Sequence, residues 1–182
     1  MHADELWQVF HENGEPIIGK GALDDEFVDT PSMVMGNAHV WFYCKSSSGK
    51  DILLQRRSLT KKMSPGYYHV SAAGHINVDE RPIEAAVRET KEEVGIAINP
   101  ALLYLVHVTR SSRRLESLLY VYIYELEGNE AFLFDDGEVD EVKWVSLERF
   151  YEMTENAASH MLIDMGRAYF DPLIAAIERQ VV

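Results

Sequence analysis

An α/β/α sandwich, a mixed sheet covered by helices on both faces, is the fold class this chain predicts. Three observations predict it. Runs rich in Val, Ile, Leu and Tyr recur at 39–44, 51–57, 101–109 and 117–126, each bounded by polar or glycine-bearing turns, as sheet strands are. Helical signals stand between and after them, with Pro82 and Gly95 bracketing one segment and Ser146 opening another. A chain of 182 residues with 47% hydrophobic content holds one substantial core and is short for two, so a single domain over 1–182 is expected.

The elements follow in order. Apolar residues Leu6 to Phe10, an Asn13-Gly14 turn and the stretch Pro16-Ile17-Ile18-Gly19 predict an N-terminal hairpin over about 5–19. Residues 20–35 show neither helical nor strand period and are expected to be an irregular connection. The runs 39–44 and 51–57 are separated by a small polar loop and should pair as a hairpin. A short strand over 67–73 then delivers Gly74 to the sheet, where the missing Cβ permits close backbone approach. Beyond a helix over 82–94, the strands 101–109 and 117–126 are joined by a basic loop over 110–116. A last strand over 142–145 precedes a helix near 147–151 with Ser146 as its N-cap. The terminal helix is expected over about 159–180, interrupted or restarted at Asp171-Pro172.

Composition removes several classes of function. A formal charge of -13 argues against binding nucleic acid or an anionic membrane, since both need a positive footprint. No apolar run approaches the ~20 residues that cross a bilayer, and the N-terminus has no basic-then-apolar signal pattern, so a cytoplasmic location is expected. The single cysteine, Cys44, sits in the apolar run HVWFYC and reads as a buried small side chain. Basic residues cluster at Arg56-Arg57 with Lys61-Lys62, and at Arg110 with Arg113-Arg114. On an acidic chain these are local attractors for a small polyanion.

The helix between Pro82 and Gly95 has about three and a half turns. Ile83, Ala86, Val87, Thr90 and Val94 share one arc, and Glu89, Glu92 and Glu93 share another. Carboxylates at i, i+3 and i+4 repel, and Arg88 alone cannot neutralise them. A hard divalent cation, Mg²⁺ or Mn²⁺, fits that demand, with Glu80 just before the helix as a further ligand or base.

The spacing Gly74, Glu80, Arg88-Glu89, Glu92-Glu93, Gly95-Ile96 spans 23 residues and resembles the Nudix box. Thr90 departs from the larger aliphatic residue usual there; its hydroxyl can bond the carbonyl of Ala86 or Val87. Similarity continues through LLQRRSLTKKMSPG and EVDEVKWVSLERF, which look like the Nudix branch containing isopentenyl-diphosphate isomerases. The resemblance implies a Nudix-type fold and a metal-dependent hydrolase of diphosphate linkages, in a nucleoside diphosphate derivative or related small molecule. It implies Mg²⁺ (or Mn²⁺) held by Glu89, Glu92, Glu93 and Glu80, with Arg88 orienting Glu92 or Glu89, and Glu93, Glu92 and Glu138 as alternative bases. Arg57, Lys61 and Glu116 stand at positions resembling diphosphate contacts of the branch. Relatives of this kind often form homodimers. Isomerisation and turnover-free binding of a nucleotide or partner are the competing readings. The isomerases carry a cysteine just before the glycine-histidine pair of their box; here Ala73 precedes Gly74-His75, and alanine has no proton to move.

Overall fold

The computed structural model describes residues 6–11, 13–22, 34–47, 49–111, 117–134 and 137–180. Nine strands join one sheet: β1 (Trp7–Phe10), β2 (Pro16–Ala22), β3 (Val34–Ser46), β4 (Gly49–Arg57), β5 (Tyr68–His69), β6 (Ala72–His75), β7 (Tyr104–Ser111), β8 (Ser117–Glu125) and β9 (Val139–Ser146). Among the described residues three α-helices accompany them: α1 (Pro82–Val94), α2 (Leu147–Glu155) and α3 (Arg167–Arg179).

The long strand β3 organises the sheet. It pairs antiparallel with β1, β4 and β6, and parallel with β8 from Met35↔Ser117 to Tyr43↔Glu125, so the sheet is mixed. Strand alternation then sorts its side chains. Trp41 and Tyr43 join a core with Phe150 of α2 and Tyr169, Phe170 and Leu173 of α3. Ala38, Val40 and Phe42 point the other way, toward Ala85, Ala86 and Val94 of α1. Helices therefore cover both faces, as the sequence predicts.

Local chemistry explains the helix ends. Pro82 occupies the first turn of α1, where a missing N–H costs nothing, and Gly95 closes the helix with φ 73° while donating its N–H to Lys91 O. Thr90 is buried, and its hydroxyl donates to Ala86 O at 2.7 Å. Ser146 caps α2 by accepting the Arg149 N–H at 3.1 Å.

Several boundaries differ from the sequence-based expectation. The strand-like run 67–73 is two short strands, because Ser71 between them turns its hydroxyl to the neighbouring backbone, donating to Leu53 O and accepting from Phe42 N. Strand β2 reaches Ala22 and β3 begins at Val34; the rest of the expected irregular connection, 23–33, lies outside the described residues. The terminal helix starts at Arg167, later than expected. A 3-10 turn, Ala157–His160, ends at Met161 in a left-handed conformation, φ 51°, and the chain then runs along β5, with Ile163 N donating to Tyr68 O at 2.9 Å. Burial of Leu162 and Ile163 favours that path over a further helical turn. Helix α3 runs unbroken through Pro172, held by the burial of Tyr169, Phe170, Leu173 and Ile177.

Candidate active site

Strand β6 hands the chain to α1, and the contact between them seats the acidic residues. A Cβ on Gly74 would overlap the Glu89 carboxyl group, so glycine here leaves that carboxyl room to lie against the strand. One turn on, Glu93 is buried beneath the sheet edge, its Oε2 accepting from Gln55 Nε2 at 2.8 Å and from the Ala73 backbone N–H at 2.9 Å. Glu92 stays half exposed. The three carboxylates expected on one arc of the helix are thus graded from solvent to core, because the sheet offers donors to the innermost one.

Arg88 gathers the others. Its guanidinium forks onto Glu80, with Nε to Oε1 and Nη2 to Oε2 both at 2.9 Å, while Nη1 donates to Glu89 at 2.6 Å and Glu92 at 3.1 Å. Nη2 also donates to the carbonyl of His75 at 2.8 Å. Helical spacing pointed only to Glu89 and Glu92 as partners of Arg88; Glu80, from the preceding turn, receives the bidentate fork.

One guanidinium does not discharge four carboxylates. Burial, opposed by Arg88 and reinforced by Glu92 and Glu80, pushes the Glu89 carboxyl up to about 7. Burial likewise pushes Glu93 up to about 8, against the hydrogen bonds from Ala73 and Gln55 and with the repulsion of Glu89. Glu138 goes the other way: burial would raise it, but the Lys61 hydrogen bond and charge hold it below the usual carboxylate range.

The loop after β4 faces this helix. Lys61 Nζ lies 2.6 Å from Glu138 Oε2, and Ser58 N donates to Glu138 O at 2.8 Å, so the basic loop and the Gly137-Glu138 loop are locked together. Arg57 Nε donates to Met63 O at 3.1 Å. Glu116, Arg113, Arg114, Asp135 and Asp136 lie outside the described residues. Trp41 is core, donating to Tyr169 OH, and Tyr68 donates its hydroxyl to Glu141 at 2.8 Å. His39, bonded to Tyr169 OH through Nδ1, is a core histidine, and Cys44 is buried with burial pushing its thiol up.

Three residues at this centre were not singled out by sequence reasoning. Gln55 is a buried amide at the junction between the apolar Ile52-Leu53-Leu54 and the charged Arg56-Arg57, where no local signal sets it apart. His75 and Trp7 stack on each other, and no local spacing relates them.

The donor set suits a hard cation, being all carboxylate oxygen. Burial first, and repulsion among the carboxylates after it, raise the proton affinity of Glu89 and Glu93. Among the described residues no three His, Cys, Asp or Glu side chains are already gathered as a metal cage, since Arg88 and Gln55 occupy the carboxylates.

A mixed sheet between helices, with an acid-bearing helix seated on a strand-end glycine, defines a Nudix-type protein. Residues 37–164 match the NUDIX domain, and the chain belongs to the Nudix family. It is 31% identical over 129 residues to an isopentenyl-diphosphate Delta-isomerase of Cutibacterium acnes, covering 65% of each chain. It is 32% identical over 120 residues to the uncharacterized Nudix hydrolase YfcD of Escherichia coli, covering 64% of this chain and 65% of that one. These alignments span just under two thirds of the relatives' lengths. The solved structure of DR0079 from Deinococcus radiodurans shares the fold with a TM-score of 0.67 at 22% identity, over 96% of this chain and 100% of that chain. The NUDIX domain of Shewanella oneidensis NrtR, complexed with ADP ribose, does so with a TM-score of 0.63 at 15% identity, over 88% and 100%.

Proposed function

We propose that the chain is a divalent-metal-dependent hydrolase of diphosphate linkages in a nucleoside diphosphate derivative or a related small molecule. The observation that carries this reading over isomerisation is Ala73. It gives the site a backbone N–H, bonded to Glu93, and no ionisable side chain for proton transfer to carbon.

Glu89, Glu92, Glu93 and Glu80 would hold Mg²⁺ or Mn²⁺, which would supply charge neutralisation at the phosphoryl oxygens. The chain's own residues supply the rest. Arg88 positions Glu80, Glu89 and Glu92. Glu93 uses Oε2 for Gln55 and Ala73, leaving Oε1 free of any described partner and able to accept a proton or a ligand. Glu92 and Glu138 remain alternative bases. Lys61 already neutralises Glu138, so a diphosphate arriving there meets Lys61 and Arg57 with part of their charge balanced. Glu116 keeps its proposed substrate-binding role.

We read the strands β1 to β9, joined in one sheet, as one domain. The net charge of -13 opposes nucleic acid and anionic membranes, and a cytoplasmic location is our reading; among the described residues no helix is long and apolar enough to cross a membrane. A homodimer would use β7, which among the described residues pairs only with β8 and exposes Tyr104, Leu105 and Val108.

The test is phosphate-containing product from a panel of nucleoside diphosphate derivatives, with Mg²⁺ or Mn²⁺ and with chelator. Metal-dependent product supports hydrolysis, and absence of turnover across the panel leaves only the binding reading. Isopentenyl diphosphate should give no dimethylallyl diphosphate; its appearance at enzymatic rates would restore the isomerase.

A further inference from the structure

Trp7 and His75 stack nearly face to face, with ring centroids 3.6 Å apart and 6° between planes. Trp7 arrives from the N-terminal hairpin. The strand that carries it is laced onto the segment between β6 and α1: Gln8 N donates to Ile76 O at 2.8 Å, Trp7 bridges Asn77, and Asp79 N donates to Gln8 Oε1 at 3.1 Å. Two members of the acidic centre are tied to that same segment. Arg88 holds the His75 carbonyl, and Glu80 accepts the Asn77 N–H at 2.9 Å.

The charged groups facing the imidazole are Glu138 and Lys61 from the opposite loops and Arg88 from α1. Burial, aided by Arg88 and Lys61 and opposed by Glu138, drives its pKa down to about 4, so the ring is uncharged near neutrality. A neutral ring can lie flat under an indole without desolvating a cation, and its neighbours keep their charges for an anionic ligand.

We propose that Trp7 is a positioning residue for hydrolysis: by stacking on His75 it fixes the turn from which Arg88 and Glu80 are held, making the N-terminal hairpin part of the active site. This rests on the hydrolase reading above. The residue acts through His75 and does not touch substrate.

The experiment compares Trp7→Phe, which keeps a stacked ring, with Trp7→Leu, which fills volume but cannot stack. Two readouts are taken: kcat and KM with Mg²⁺, and the NMR titration of the His75 ring, assigned through His75→Gln. Trp7→Leu should lower kcat by about 10- to 100-fold, as small misplacements of catalytic groups do. Its His75 titration should move from the acid range toward an ordinary histidine value, about 6.5. Trp7→Phe should retain most activity and an acid-range titration. Should Trp7→Leu not fold, the stack can be removed from the other side: His75→Phe should retain far more activity than His75→Ala. Wild-type kcat and titration in Trp7→Leu would overturn the proposal, as would equal losses in Trp7→Phe and Trp7→Leu, or in His75→Phe and His75→Ala. A wild type without metal-dependent hydrolysis overturns the hydrolase reading itself; an active wild type unaffected by loss of the stack overturns this inference alone.

Discussion

Glu93 and Glu89 are the carboxyl groups that burial pushes furthest above the ordinary glutamate range. Their folded-state pKa values, about 8 and about 7, lie above the ordinary glutamate value of 4.5 expected in the unfolded chain. Between those limits the folded state binds more protons, so these groups make metal-free stability fall as pH rises through the window from about 4.5 to about 8. Glu93→Gln removes the larger contribution while keeping an oxygen to accept from Gln55 and Ala73. In chelator the mutant should therefore melt higher than wild type, with the gap widening from pH 5 to pH 8. Metal should reverse the order. An ion that binds only the folded state at a hundred times its Kd adds about 2.7 kcal/mol, and losing a charged ligand should remove much of that gain along with most turnover. If Glu93→Gln kept the full metal-dependent rise in melting point and wild-type activity, Glu93 would lose its proposed role.

At the scale of elements, the seam between β6 and α1 seats the Glu89 carboxyl group against Gly74. Gly74 has no left-handed backbone demand; its constraint is the Glu89 carboxyl group, the far end of a flexible side chain that can swing aside. Gly74→Ala should leave the melting point near wild type while cutting metal-dependent hydrolysis by about 10-fold or more, since Glu89 would be displaced. A collapse in stability with activity per folded molecule intact would mean the glycine serves packing alone. Helix α2 offers the converse case, because it packs on the opposite face of the sheet. Ser146→Ala should cost about 1 kcal/mol of stability through the lost cap, measured by urea unfolding, with kcat unchanged.

For the whole molecule, charge and the sheet edge point the same way. Between Gly95 and Leu115 there is no Asp or Glu, against 30 in the chain. Strand β7 lies within that stretch and among the described residues pairs only with β8, so two strongly acidic copies meeting along it would bring together a segment that carries no carboxylate of its own. Light scattering should find a dimer, and Leu105→Lys, which puts a charge on the edge, should shift it toward monomer. A wild type that stays monomeric at high concentration, or a dimer indifferent to Leu105→Lys, would place any interface elsewhere.

The sequence alone determined the layered α/β/α class and the run of α1 between Pro82 and Gly95. Hydrophobic periodicity, proline and glycine caps and strand-rich runs are local signals, and they act within a few residues of where they are read. It also marked Arg88, Glu89, Glu92 and Glu93 as one group through helical spacing, and Glu80 with them through the 23-residue pattern that resembles the Nudix box. What the tertiary structure decided is how far each carboxylate stands from water and what else it touches. Glu93 is buried because Gln55 and Ala73 offer it donors; Glu89 fits because Gly74 lacks a Cβ; Arg88 forks onto Glu80 as well as its helical neighbours; and Trp7 reaches His75 from the first strand. Gln55, Ala73, Gly74 and Trp7 lie on strands beyond helical reach of α1, and Glu80 on the turn before it, so strand pairing and the packing of helix on sheet bring them together. The late start of α3 has the same origin: Leu162 and Ile163 are apolar enough to continue a helix, and only the core beside β5 draws them into an extended path.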